Sequence, residues 1–215
     1  DDISAMIIPS TDPHFGEYIP DHYKVLEWLS GFTGEAATLV VTQKEAALWV
    51  DSRFFIQAAA QLDGSGIEMM RLKVEGTPSI AEWLKARLEA DDIVAMDEDL
   101  FSYSDYMEMM DSLSPLSPAL IEDPFDKVWK DRPALQFNPV RYVDESISGE
   151  SVSSKHRRLV ERLKGPVPFA YIITALDEVA WLCNIRGTDI EYNPLALSYA
   201  VVTEECVTLF LRQEM

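Results

Sequence analysis

The chain has 215 residues, with 37 acidic against 18 basic side chains and a net charge of −19. That length holds one large domain, or a domain and part of another. With 47% hydrophobic residues there is enough to fill a core, so the charge does not mean global disorder. So acidic a surface repels polyanions, which argues against nucleic-acid binding through phosphate contacts. The charge is uneven: residues 1–150 carry 29 acidic and 11 basic groups (29 − 11 = 18 excess negative), and residues 151–215 carry 8 and 7 (8 − 7 = 1). Solubility is a sufficient reason for it. Cys183 and Cys206 are the only cysteines, both in apolar sequence, and read as buried structural thiols of a reducing compartment. No apolar run reaches the ~18 residues of a membrane span. Asp1-Asp2-Ile3 has neither an initiator Met nor the features of a signal peptide, so the chain is expected to begin inside a longer protein.

Taken in order, Ile3–Ile8 is an apolar run closed by Pro9 and reads as a buried strand. Asp21 is placed to cap a helix through Tyr23, Val25, Leu26 and Leu29 that stops at Gly31. Ala36–Thr42 and Ala46–Val50 flank a polar Gln43-Lys44-Glu45 turn and predict a hairpin. Ser52 is expected to cap a helix over Arg53–Leu62, with Ala58-Ala59-Ala60 closely packed. A strand over Ile67–Leu72 and a helix over Ser79–Glu89, opened by Pro78, follow. Ile93–Met96 is a strand, and Phe101–Leu113 a helix with a stripe of Tyr103, Tyr106, Met110 and Leu113. Alternating strands and helices with an early hairpin predict an α/β domain with a mixed sheet. Residues 114–150, punctuated by Pro115, Pro118, Pro124, Pro133 and Pro139, read as a connecting segment ordered around Trp129. A basic amphipathic helix over Val152–Leu163, a strand over Phe169–Thr174, a helix over Leu176–Asn184 and a hairpin of Ala200–Thr203 with Val207–Leu211 complete the chain.

One coarse echo stands out: Leu29–Phe32 and Asn184–Gly187 each end a helix in a glycine turn and precede two apolar strands. Two copies of one domain type, the second cut short, would explain it; so would one domain with two hairpins.

The usual catalytic signatures are missing. His14, His22 and His156 have no helical metal-ligand spacing, and no HExxH, GxSxG, GxGxxG or phosphate-binding loop occurs. His22 falls in a helix first turn, His156 on a solvated basic face, and His14 in a polar loop with Asp12 and Glu17. The carboxylate clusters Asp91-Asp92, Asp97-Glu98-Asp99 and Glu122-Asp123 read as solvated faces and caps. The stretch Leu176–Pro194 admits two readings: Asn184 and Arg186 cap the helix, or the loop presents Arg186 and Asn193 to a ligand carboxylate or carbonyl.

At these residues the chain resembles the aminopeptidase P (Xaa-Pro aminopeptidase) branch of the creatinase/prolidase, or pita-bread, family. The matching blocks are Ile7–His14, Glu17–Ile19, Ser30–Gly34, Trp49–Ala58, Val128–Pro133, Thr174–Pro194 and Ser198–Ala200, in family order over nearly the whole chain. Glu35, Ser52 and Leu195-Ala196-Leu197 depart from the usual pattern. The resemblance is to the long, three-domain form. It implies an α/β creatinase N-terminal-type domain over residues 1–140, with a mixed sheet flanked by helices. A linker helix and part of a second similar domain would follow over 141–215, with the catalytic domain outside the chain.

In that family the catalytic domain removes the residue before proline from short peptides. It uses two divalent metals, usually manganese, held by two Asp, one His and two Glu. The implication for this segment is negative: no metal ligands, no catalytic residues, no cofactor of its own and no activity alone. Its expected roles are gating the active site and supporting a cytoplasmic homodimer. Partners would be peptides with proline second, without nucleic acid or membrane. Trp181, Arg186, Asn193 and Arg53 are the candidate substrate-binding residues, with Arg53 alternatively pairing with Asp51. A non-catalytic peptide- or histone-binding module of the same fold is the competing expectation.

Overall fold

The computed structural model describes residues 3–212, which form two compact units. The first comprises residues through Pro13 together with His22–Pro133, and the second His14–Asp21 together with residues from Ala134 onward.

In the first unit, β1 (Ile3–Pro9) runs beneath α1 (Val25–Ser30), and the hairpin β2 (Ala37–Thr42) and β3 (Ala46–Val50) follows. Next come α2 (Phe55–Gln61), β4 (Ile67–Arg71), α3 (Ile80–Lys85), β5 (Ile93–Asp97), α4 (Tyr103–Leu113) and β6 (Ser117–Ile121). The strands make one mixed sheet in the order β4-β3-β2-β1-β5-β6. The β1–β2 and β2–β3 pairs are antiparallel, and β3–β4, β1–β5 and β5–β6 are parallel. The period of two along β3 sends Ala47 and Trp49 to one face, and Leu48 and Val50 to the other. Each face has its own cluster. Trp49, Ile7 and Met96 meet Trp83 and Leu84 of α3 and Leu113 of α4, while Leu48, Val50 and Leu39 meet Val25, Leu26 and Ala58. Each such side chain contributes about 1.5–3 kcal/mol by leaving water, which is why the central strands read as nearly unbroken apolar runs. Trp49 crosses Trp83 edge to face at 5.7 Å and donates its Nε1–H to the Pro78 carbonyl at 2.9 Å.

Several local expectations shift. The segment after Asp21 breaks into a 3₁₀ turn, Asp21–Tyr23, and a separate α1, although Gly31 does end it in the left-handed region at φ 73°. Asp51, not Ser52, caps the turn before α2, because its longer side chain reaches the Arg53 N–H. Ser79 and Glu82 form a reciprocal capping box for α3, which closes at Lys85 instead of Glu89. Only Ala58 of the alanine triplet is buried. On α4 the inward stripe is Tyr106, Met109 and Leu113, while Tyr103 and Met110 face solvent. The largest omission is β6 within the proline-rich segment. Pro118 is tolerated because β6 is an edge strand, where one missing donor breaks no inner ladder.

The second unit contains β7 (Arg141–Tyr142), α5 (Glu145–Ser148), α6 (Val152–Leu163), β8 (Tyr171–Ile173), α7 (Leu176–Cys183), β9 (Ile185–Arg186), β10 (Ser198–Val202) and β11 (Val207–Leu211). An antiparallel sheet, β11-β10-β8, backs α7, and β7 pairs with β9. Ile173, Val179, Leu182, Ile185, Ala200 and Val202 form its core. The strand–helix–hairpin order of β1, α1, β2, β3 recurs as β8, α7, β10, β11 with the same antiparallel pairings, and both helices end in a left-handed residue, Gly31 or Asn184. Cys183 is buried, as expected; Cys206 is exposed in the β10–β11 turn. Glu204 and Glu205 directly precede Cys206, so the turn that holds it is polar despite the apolar strands on either side.

Two glycines of the Gly31–Gly34 turn serve different needs. A Cβ on Gly31 meets nothing within 4 Å but would sit at positive φ, whereas one on Gly34 would lie 2.2 Å from Phe32 Cζ and 2.9 Å from Phe54. Phe32 is fully buried, so it cannot swing away. Gly34→Ala is therefore expected to cost about 1–3 kcal/mol through overpacking, more than the roughly 1 kcal/mol of Gly31→Ala. Urea unfolding of both variants measures the order.

Candidate functional site

Arg53 stands just beyond the end of β3. The Asp51 carboxylate accepts hydrogen bonds from the Arg53 backbone N–H at 3.0 Å and from its Nε at 2.8 Å. The backbone bond and then the guanidinium hold the Asp51 carboxyl below the usual carboxylate range. The pairing with Asp51 exists, yet 67% of the Arg53 side chain stays exposed.

The loop after α7 is organised by a residue that sequence reading overlooked. Lys155 of α6, 2% exposed, donates its ammonium to the Trp181 carbonyl at 2.6 Å and to Asn184 Oδ1 at 2.5 Å. It also lies 4.8 Å from the Trp181 ring centroid. Burial lowers its pKa. Asn184 is left-handed at φ 52° and donates its amide to the Glu150 carbonyl. Arg186 Nη1 donates to the carbonyls of Ala180 at 3.1 Å and Ile185 at 2.7 Å. Asn184 and Arg186 thus satisfy α7's terminal carbonyls, the capping alternative of the sequence reading. Trp181 is 43% exposed, with Arg158 5.6 Å from its ring centroid. Asn193 instead lines a cavity of about 340 Å³ with His14, Glu17 and Asp177, a cavity that neither Trp181 nor Arg186 lines. The three loop candidates therefore do not line one cavity. The signal for Lys155 was its place on the otherwise apolar stripe of a basic helix.

The histidines are more engaged than expected. His14 is buried, with Nδ1 2.8 Å from the Thr174 carbonyl and its ring 4.5 Å from Tyr199. His156 is half-buried with Nε2 2.9 Å from the Thr203 carbonyl, so it is not simply solvated. His22 lies in the 3₁₀ turn, 2.8 Å from the Pro133 carbonyl.

In the first unit the Trp129–Pro133 block closes around Arg132, whose side chain is 6% exposed. Its Nη1 pairs with Asp123 and with Asp126 at 2.7 Å, and its Nε donates to the His22 carbonyl at 2.8 Å. Trp129 stacks on Trp28 at 5.0 Å. His22, Asp123 and Asp126 place ligand-type atoms within 4.8 Å of one another, the one such group among the described residues. This group does not fit a two-metal centre. It has three candidate ligands, and the Arg132 guanidinium is already paired with both carboxylates.

With the geometry described, the chain has the build of a paired creatinase-type N-terminal region. The description "Creatinase/Prolidase N-terminal domain" fits residues 1–126, and a second family model of the same description fits residues 131–215. The chain belongs to the creatinase/prolidase N-terminal domain family. It is 38% identical over 213 residues to the Xaa-Pro aminopeptidase app-1 of Caenorhabditis elegans, covering 98% of this chain and 35% of that protein. It is 36% identical over 220 residues to Xaa-Pro aminopeptidase 1 of Dictyostelium discoideum, covering 97% and 35%. Among solved structures, the Caenorhabditis elegans X-prolyl aminopeptidase, a cytosolic enzyme with a di-nuclear active site, superposes with a TM-score of 0.90 at 36% identity, covering 99% of this chain and 35% of that one. The chain thus spans about a third of the length of these relatives. No helix among the described residues is long and apolar enough to cross a membrane.

Two outcomes follow from the buried polar groups. Asp97, 4% exposed at the end of β5, has its pKa raised to about 6, chiefly by burial and then by Asp123 and Asp99, against the Asp99 N–H bond and Arg132. Between the ordinary carboxylate range and about pH 6 the folded state binds the extra proton, so stability falls as pH rises through that window. Asp97→Asn is expected to stabilise the fold, with a gain on the order of 1 kcal/mol larger at pH 8 than at pH 5. Parallel urea titrations at the two pH values check it. Lys155→Met leaves Asn184 Oδ1 without its ammonium donor and is expected to cost about 1–3 kcal/mol, read as a lowered Tm.

Proposed function

We propose that this chain is the non-catalytic N-terminal region of a cytoplasmic Xaa-Pro aminopeptidase, which removes the first residue of peptides with proline second. The supporting observation is 38% identity running along 98% of the chain but only 35% of the relative. In this reading residues 1–140 are the first creatinase-type domain, residues 141–215 are a linker helix with part of a second, and the chemistry resides outside both. Two divalent ions, manganese in this proposal, would there activate water for attack on the peptide bond. The residues of this chain gate access to that centre and support a homodimer, and the chain by itself is inactive.

The candidate residues divide by how they are held. Arg53 keeps an exposed guanidinium fixed in direction by Asp51, which suits a group that receives a peptide carbonyl or carboxylate. Trp181, 43% exposed, is the second candidate for contact with substrate. Arg186 acts indirectly, by holding the loop that bears Asn193.

In the parent enzyme, Arg53→Ala is expected to lower kcat/KM for Xaa-Pro peptides at least tenfold, or roughly 1.4 kcal/mol of transition-state binding, with the Tm little changed. Unchanged kinetics would remove Arg53 from the substrate path. Robust Mn²⁺-dependent peptidase activity from the 215-residue chain alone would overturn the placement of the chemistry elsewhere.

A further inference from the structure

The second unit holds a cavity of about 340 Å³ whose acidic lining has no role in the reaction proposed above. It falls within the roughly 300–1,000 Å³ of ligand clefts. Two carboxylates, Glu17 and Asp177, line it, and no lysine or arginine does. Both are exposed to solvent, and neither takes part in an ion pair or hydrogen bond among the described residues. The half-buried Asn193 side-chain amide is likewise unengaged, its backbone alone bonding to Ile190 and Leu195. Apolar surface comes from Phe15, Tyr18 and Leu176. Tyr18 is braced edge-on by Tyr192 at 6.2 Å.

We infer that this cavity is a binding site for the basic side chain of a peptide, arginine or lysine. The juxtaposition is the one such a side chain requires: aromatic and aliphatic wall for the methylene stem, two carboxylates for the charge, and an amide oxygen for a remaining N–H. A neutral ligand would gain nothing from the two exposed carboxylates, and an anion would be repelled by them. The N-terminus of α7 adds partial positive charge nearby, but Asp177 and Glu178 in its first turn outweigh the half-charge of the dipole. His14 is committed to the Thr174 carbonyl and the Tyr199 ring. The site needs no catalytic partner, so it stands or falls separately from the peptidase reading.

The test uses the 215-residue chain and three small probes followed by two-dimensional NMR at low ionic strength. These are N-acetylarginine amide, its neutral isostere N-acetylcitrulline amide, and glycinamide, which carries only an α-ammonium. The arginine probe is expected to shift the Asn193 side-chain and Gly16 backbone resonances and to bind at least about tenfold more tightly than the citrulline probe, as loss of a charge-assisted contact of this class implies. Glu17→Gln with Asp177→Asn should weaken the arginine probe by about fivefold or more while leaving its backbone spectrum folded. Equal binding of the arginine and citrulline probes, insensitivity to the double variant, or absence of shifts at Asn193 and Gly16 would overturn the site. Glycinamide binding as tightly as the arginine probe would overturn its assignment to a basic side chain.

Discussion

The second unit depends on one buried ammonium. A helix that ends inside a protein leaves carbonyls without partners, and burying them unpaired costs more than the helix gains. Lys155 reaches across from α6 and supplies that end of α7 with a cation, bonding the Trp181 carbonyl and the Asn184 side chain at once. A cation at a helix C-terminus is also favoured by the dipole. With Lys155 in place, Asn184 can turn left-handed, Arg186 can cap from the other side, and the chain is delivered into β9 and the loop that carries Asn193. Position in the loop is thus inherited from a residue thirty positions earlier in the chain.

Arg132 does the corresponding work in the first unit. Its guanidinium gathers Asp123, Asp126 and the His22 carbonyl, tying the segment after β6 to the 3₁₀ turn before α1. The stacked Trp28–Trp129 pair covers one side of that junction. Asp97 lies close enough to feel this cluster electrostatically but is buried at the end of β5, so burial dominates over the nearby arginine and its proton is held to a higher pH. The Val128–Pro133 block, conspicuous as a motif, is therefore explained by packing and charge satisfaction, without appeal to substrate.

Much of the sheet was legible because its strands obey the simplest rule available. Ile3–Pro9, Ala37–Thr42 and Ala46–Val50 are apolar runs bounded by polar or proline turns, and burial on both faces leaves little room for another reading. The echo between the two halves was legible for the same reason. What escaped was set by distant partners. Ser117–Ile121 looks like punctuation until β5 supplies a parallel edge for it to join. Lys155 looks like one more exposed cation of a basic helix until α7 covers it. The site candidates suffered most, since Arg186 and Asn193, seven residues apart, are drawn to different surroundings by backbone carbonyls that sequence cannot place.

The distribution of cations gives the acidic composition a physical meaning that counting alone did not. With 18 basic side chains against 37 acidic ones, every cation committed to an internal task is one fewer on the surface. Arg132 and Lys155 are almost wholly enclosed, Arg186 is turned inward onto backbone, and Arg87 and Arg158 are occupied by Glu45 and Glu150. The carboxylates that remain uncompensated thus set the field around the molecule over a Debye length of about 8 Å at physiological salt. Such a field does not select a ligand by itself, but it raises the local concentration of cationic groups near any cavity shaped to hold one. The cavity bordered by Glu17, Asp177 and Asn193 is where that general attraction meets a specific geometry, because there two exposed carboxylates stand beside the apolar wall of Phe15, Tyr18 and Leu176.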